Sequence, residues 1–296
     1  KELGVKERRM IPYIISILCY FLCFYVMNIF HMPAFMGSIV VAALFIQIVC
    51  GIMLACGGVV LSDVHGMLFI HSMPIWIAVP VTVFVTVFIV NAINLIDGID
   101  GLASGLCSIA FLFYGITFIW YHLYIYAMLS FATLGVLMPF YYYNVFGKAE
   151  KGRKIFMGDT GSLTIGIMLC FLSIRIAGLP VSSSPHHVNP FVLAFAPLLV
   201  PCFDVVRVYL HRVRNGRNPF LPDKNHIHHK LLRCGLKVRQ VMVSICLLSL
   251  MFILINVALI GDINITYILG IDIVVWIVFH LILDVILHTR RAKLDI

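Results

Sequence analysis

Three short stretches carry the residues of this sequence best suited to chemistry. The first, NAINLIDGIDGLASG (91–105), sets Asn91, Asn94, Asp97 and Asp100 at i, i+3, i+6 and i+9 across the junction of two apolar runs. Spacing by threes puts neighbours on adjoining helical positions, and Gly98 and Gly101 are placed to break the turn. Two aspartates this close to lipid pair with something, bind a cation or serve chemistry; a capping loop with solvated carboxylates is the plain alternative. The second stretch, FMGDTGSLTIG (156–166), opens an apolar run with Asp159 between glycines and hydroxyl residues, and Lys154 precedes it. A helix N-terminus offers unpaired N–H groups to anions, and a carboxylate there can hold a divalent cation that bridges phosphates. An ordinary N-cap would need only one of these residues. The third, PDKNHIHHKLLRCG (222–235), spaces His226, His228 and His229 at i, i+2 and i+3 in a basic loop. That is not the i, i+4 pair of helical zinc sites, and only Asp223 stands near as an acidic ligand. Imidazoles and cations arranged around a polyanion fit better, with a solvated basic loop as the alternative.

Other polar residues stand alone in apolar surroundings. Asp204, in PLLVPCFDVVRVYLHR, has Arg207 at i+3; structural pairing and support of a site are both open. Asp272, His280 and Asp284 have no motif around them and read as helix–helix polar contacts. Asn144 ends the aromatic run YYYN and opens the loop that leads to Asp159, which makes it a candidate member of the same site. Carboxylates, histidines and cations together fit divalent-metal-assisted chemistry on a phosphorylated substrate, and their place at a membrane boundary implies that one substrate is a lipid.

The elements that must position these residues follow from composition. Of the 296 residues 62% are hydrophobic and 11% charged, and the mean hydropathy is +1.05. One soluble core could not hide that much apolar surface, so the expectation is an all-α, polytopic membrane protein. Runs of about 20 apolar residues fall at roughly 10–30, 35–57, 73–94, 102–121, 124–143, 161–181, 190–211, 239–260 and 265–288, about nine spans. The net charge of +8 does not signal nucleic acid, because the cations lie beside span ends, in KERR (6–9), GKAEKGRK (147–154), the 212–230 loop, KVR (237–239) and RRAK (290–293). With RRAK cytoplasmic, parity puts the three motif loops on the cytoplasmic side, but it also puts KERR outside, against the positive-inside rule. The polar segment 58–72 is too short to span and reads as a hairpin or a surface segment on the opposite side. Eight of the nine cysteines lie in or at the ends of apolar runs and read as buried thiols rather than disulfides. The chain starts at Lys1 with no signal-peptide pattern, so its true start is expected to lie upstream.

The three motifs, in this order and at these separations, resemble the polyprenyl-phosphate N-acetylhexosamine-1-phosphate transferases, of the glycosyltransferase family 4 type, over about residues 55 to 240. The HIHH form is similar to the branch that starts O-antigen, enterobacterial common antigen and teichoic acid synthesis on undecaprenyl phosphate. The resemblance implies transfer of a sugar-1-phosphate from UDP-N-acetylglucosamine or a related UDP-N-acetylhexosamine to undecaprenyl phosphate, with release of UMP. It implies Mg²⁺, with Mn²⁺ as the alternative ion, and a place in the bacterial inner membrane with the site facing the cytoplasm. Carried over by motif, Asp159 ligates the metal; Asn94, Asp97 and Asp100 line the nucleotide and metal pocket, with Asn91 beside them; and His226, His228 and His229 meet the diphosphate or sugar. Lys154, Asn144 and Asp204 join as substrate-binding or supporting residues, and a homodimer is a further partner to consider.

Two features depart from the family. Its Asp-Asp pair, thought to act on the lipid phosphate, would fall near NIFHMPAF (28–35), and no acidic residue occurs from Ala34 back to Glu7. Residues 1–55 resemble instead, weakly, a membrane stretch of PAP2-type lipid phosphatases without their catalytic motifs. The expected division is therefore an atypical N-terminal segment, 1–55, and a transferase-like domain, 56–296. The alternative function is an inactive or truncated homologue that binds UDP-sugar or lipid phosphate without turnover. A transporter would show two repeated halves with broken helices, and no such repeat is visible.

Overall fold

The computed structural model describes residues 34–181, 188–216 and 225–294, with side chains from 42 to 289. The expected first span, KERR and Asp223 lie outside these residues. The described chain is all α-helical apart from short 3-10 turns and one hairpin: α1 (Ala34–Cys56), α2 (Ile75–Ile96), α3 (Leu102–Trp120), α4 (Tyr124–Phe146), α5 (Gly158–Ala177), α6 (Pro190–Phe195), α7 (Leu199–Arg214), α8 (Ile227–Arg233), α9 (Val238–Leu259) and α10 (Ile265–Leu294). Among the described residues seven stretches are long and apolar enough to cross a membrane, with α6 and α7 counted as one, and Ala42–Cys56 is a shorter apolar helix. This is a polytopic membrane protein. The span expected at 161–181 runs instead from Gly158 to Ala177, so Asp159 sits in its first turn and not in the loop before it.

The helices approach closely where a side chain is missing. A Cβ on Gly166 would lie 3.0 Å from the Val90 backbone, and one on Gly51 would lie 3.0 Å from that of Val83. Without a hydrophobic force between helices in lipid, such small residues let backbones pack directly, and here they seat α5 and α1 on α2. Hydroxyls that would be costly in lipid are used locally: Thr82 and Thr86 donate to the carbonyls four residues back, at 2.7 and 2.8 Å. At the centre Phe111, Tyr114 and Phe118 of α3 are fully buried, and the Tyr114 hydroxyl donates to the Ala194 carbonyl at 2.5 Å, tying α3 to α6. The outer faces carry exposed apolar residues such as Phe84, Met128, Leu254 and Val285, as lipid contact requires.

The bundle has two unlike ends. At one, residues 57–74 form the expected hairpin: Met73 N–H donates to the Ser62 carbonyl at 2.7 Å and Val64 N–H to the His71 carbonyl at 3.2 Å. His65 Nε2 meets the Ala177 carbonyl at 2.8 Å and Asn189 donates to the His65 carbonyl at 3.1 Å, so the hairpin lies over α5 and α6. The connections α2–α3, α4–α5 and α7–α9 gather at the other end.

Candidate active site

The first motif is shaped by its glycines. Asp97 caps the C-terminus of α2, its N–H donating to the Asn94 carbonyl at 3.2 Å. Gly101 enters α3 with φ 79°, and a Cβ there would come within 2.4 Å of Val145 and 2.6 Å of the Met242 sulfur. Both the left-handed backbone and the space demand glycine. Its N–H donates at 2.5 Å to the Asn144 side-chain oxygen, whose amide donates in turn to the Ile155 carbonyl at 2.8 Å. Asn144 is nearly buried and joins the backbone of the first motif to the strand of loop that delivers the second.

The first and second motifs meet through side chains. Asn94 donates at 3.0 Å to an Asp159 carboxylate oxygen and at 2.9 Å to the Ser162 hydroxyl. Lys154 pairs with Asp100 at 2.5 Å. Asp159 is exposed at the mouth of the site, whereas Asp97 is half-buried. Burial first, then the negative charges of Asp159 and Asp100, push the Asp97 carboxyl from 3.8 up to about 6. Three carboxylates therefore share one electrostatic neighbourhood, with Lys154 as a paired cation.

The third motif is fixed from below. Asp204 is fully buried; it pairs with Arg207 at 2.8 Å, lies 2.9 Å from His226 Nδ1 and accepts from the Ile227 N–H at 3.0 Å. Arg207 also donates to the Asn225 carbonyl. These contacts anchor the entry to α8 and turn His228 toward the first motif. The His228 ring lies so close to Gly98 that a Cβ there would sit 2.3 Å from its Nε2. His226 and His228 are stacked, centroids 5.8 Å apart, and His229 lies 4.2 Å from His228. His228 is 1% exposed, and neither ring nitrogen has a hydrogen-bond partner among the described residues. Burial, then the neighbouring His229 and His226, push it down from 6.5 to about 4, so it is a neutral imidazole at pH 7.

Asn94, Asp97, Asp100, Lys154, Asp159 and His228 thus come to one end of the bundle. Asn91 does not face them: its amide donates to Gln47 at 2.6 Å and to the Val87 carbonyl at 2.7 Å, joining α1 to α2. Asp204, His226 and Asn144 hold the site from behind. Gln47 interrupts an apolar run with no motif around it, so spacing gives no sign of its role, and Gly98, placed in the sequence to break a turn, is also the platform for His228.

Among the described residues no three His, Cys, Asp or Glu side chains close on one point as a ready metal site. The donor chemistry nevertheless suits a hard cation: Asp97, Asp100 and Asp159 offer only oxygen ligands, and the mutual repulsion that adds to burial in raising Asp97 is what such a cation would relieve.

Residues 38–177 match the family model described as glycosyl transferase family 4. Over 177 residues the chain is 35% identical to undecaprenyl-phosphate alpha-N-acetylglucosaminyl 1-phosphate transferase of Yersinia pestis, covering 60% of this chain and 47% of that protein. It is 38% identical over 181 residues to decaprenyl-phosphate N-acetylglucosaminephosphotransferase of Mycobacterium leprae, covering 56% and 44%. With the Escherichia coli K12 undecaprenyl-phosphate alpha-N-acetylglucosaminyl 1-phosphate transferase it shares 34% over 172 residues, 57% and 45% of the two chains. The chain spans a little under half the length of the curated relatives it matches.

Proposed function

We propose that this chain, whose residues 38–177 match the glycosyl transferase family 4 model, transfers N-acetylhexosamine-1-phosphate from a UDP-sugar to undecaprenyl phosphate and releases UMP, an opening step of cell-envelope polysaccharide synthesis. The observation that carries this reading is the meeting of the three motifs: Asn94 on Asp159, Lys154 on Asp100 and His228 on Gly98. The relatives' names support a polyprenyl phosphate acceptor and an N-acetylglucosamine-1-phosphate group. We read the motif end as the cytoplasmic face of a bacterial inner membrane, because the basic loops lie there, and residues 56–296 as the transferase-like unit, with α1 packed on α2 beside it.

In the reaction an acceptor phosphate oxygen forms a bond to the sugar-bearing phosphorus of the donor, and the bond from that phosphorus to the UMP oxygen breaks. The acceptor needs no strong base, since a phosphate monoester with a second pKa near 6 is already mostly dianionic at pH 7. Asp159, Asp97 and Asp100 would hold Mg²⁺, or Mn²⁺ in its place, which supplies charge neutralisation for the diphosphate. Asn94 orients the Asp159 carboxylate. Lys154 can turn from Asp100 to a phosphate oxygen, and His228, neutral and without a partner, can donate one hydrogen bond to the diphosphate without the cost of a buried charge. His229 lies beside it on the same helix turn, and Asp204 fixes both through His226.

A second reading, a homologue that binds UDP-sugar or lipid phosphate without turnover, is favoured by one observation: no acidic residue occurs between Glu7 and Asp63 where the family's Asp-Asp pair belongs. Release of UMP from UDP-N-acetylglucosamine by the purified chain, measured with and without undecaprenyl phosphate and with and without Mg²⁺, separates the two. Release that needs both supports transfer. Nucleotide binding by folded protein without release supports the second reading. Chromatographic mass of the same preparation tests for a homodimer.

A further inference from the structure

A cleft of about 700 Å³ opens between α7, α8 and α10, behind the histidine motif. Arg207, Arg214, Lys230 and Arg233 line it, and Asp284 is the one carboxylate among its described lining residues. Its inner wall contains three side chains with buried polar atoms that have no hydrogen-bond partner among the described residues: Arg207 through Nε, Trp276 through Nε1 and His280 through both ring nitrogens. Trp276 and His280 are 6% and 7% exposed and pack edge to face, centroids 4.6 Å apart. Their ring contact orients the two side chains but leaves the Trp276 N–H unspent. Buried donors left without acceptors are costly, and the side chains that carry them line the same cleft as Arg214, Lys230 and Arg233.

The outer wall is apolar. Ile277 and Leu281, one helical turn apart on α10, line the same cleft and are 51% and 58% exposed on the face that meets lipid. Lys230 is held at 2.8 Å by Asp284 and donates at 3.3 Å to the His280 carbonyl, so one cation is already turned inward. We propose that this cleft binds the phosphate of an anionic phospholipid, with the head group on the Arg, Trp and His donors and its acyl chains along Ile277 and Leu281. A phosphate diester has the acceptor oxygens that these donors lack, and basic pockets between membrane helices select anionic head groups. The site is separate from the carboxylate cluster and does not rest on the transferase reading.

The test is native mass spectrometry of the full chain in detergent, titrated with phosphatidylglycerol, phosphatidylcholine or inorganic phosphate. One phosphatidylglycerol is expected to be retained about tenfold more tightly than phosphatidylcholine, a difference of one decade in Kd. Trp276→Phe, which removes only a neutral N–H, and Arg214→Gln, on the exposed end of α7, should each weaken retention several-fold. Asp284→Asn, which removes the competing carboxylate, should tighten it. Equal retention of the two lipids, or unchanged retention in Arg214→Gln, overturns the proposal. So does displacement of the lipid by an equal concentration of inorganic phosphate, which would make this a free-anion site.

Discussion

The two ends of the helix bundle solve the same problem in opposite ways. At the hairpin end, polar groups are spent on each other: His65 on the Ala177 carbonyl, Asn189 on the His65 carbonyl and the Phe191 N–H, Thr266 on Gly66 and Leu68. At the motif end, burial and then the charges of Asp159 and Asp100 hold Asp97 near 6, and His228 is buried with neither nitrogen partnered among the described residues. The first end is built for stability and the second gives stability up. Unsatisfied and mutually repelling groups persist where the surrounding structure over-determines them, which is typical of sites that wait for a ligand. Changes at the motif end should therefore alter turnover, and changes at the hairpin end should alter melting.

The sharpest break of that contrast is Asp159→Asn. It keeps the size of the side chain and an acceptor for Asn94 but removes a charge, so expression and melting should hold while Mg²⁺-dependent UMP release falls by about 10³-fold, the several kcal/mol a lost metal ligand costs. Unchanged turnover would remove Asp159 from the site. Gly98→Ala comes next. Its Cβ would meet His228 at 2.3 Å, and moving that ring by about an ångström is expected to lower kcat/KM by about 10²-fold. Turnover like that of the parent chain would show that the ring's seat on Gly98 is dispensable.

Much of this contrast is legible before any coordinates. Runs of apolar residues announce helices, the segment at 58–72 announces a cap, and counting spans brings the three motifs to one face. What composition and spacing cannot say is which side chains touch. Asn94 reaches Asp159 across 65 residues, a contact that exists because Gly166 lets α5 press on α2. Asp204 and Arg207 are visible as an i, i+3 pair, but the 22-residue reach from Asp204 to His226, which puts Asp204 on the supporting side of its two open readings, is not. Asn91, at the same spacing by threes, donates to Gln47 and the Val87 carbonyl instead. Helical periodicity is weak evidence in chains that are apolar all round, so faces are assigned only by packing.

Acidity probes the motif end through Asp97. Because the folded protein holds a proton on Asp97 up to about 6 while the unfolded chain releases it near 3.8, stability without metal should fall as pH rises from about 4 to 6, the sign required when the native state binds more protons. Metal binding needs the ionised form. Apparent Mg²⁺ affinity should accordingly weaken below pH 6, by up to about tenfold per pH unit for one competing proton, read as the Mg²⁺-induced shift in melting temperature. A shift that is the same at pH 5 and pH 7 would mean that Asp97 does not face the ion.

The smallest effect belongs to the hairpin end. Asn189 accepts from the Phe191 N–H at 3.0 Å as the N-cap of α6 and donates to the His65 carbonyl at 3.1 Å, so Asn189→Ala removes a cap and a tie together. The loss of a cap of this kind is worth about 1 kcal/mol, which lowers the melting temperature by a few degrees. Turnover at a temperature where both proteins are folded should be unchanged, because the bonds of Asn189 among the described residues go to His65 and Phe191 and not to the carboxylate cluster or α8. A fall in kcat with unaltered melting would mean that the two ends are coupled through α5 and α6, and that the hairpin takes part in the reaction cycle rather than only closing the far side of the bundle.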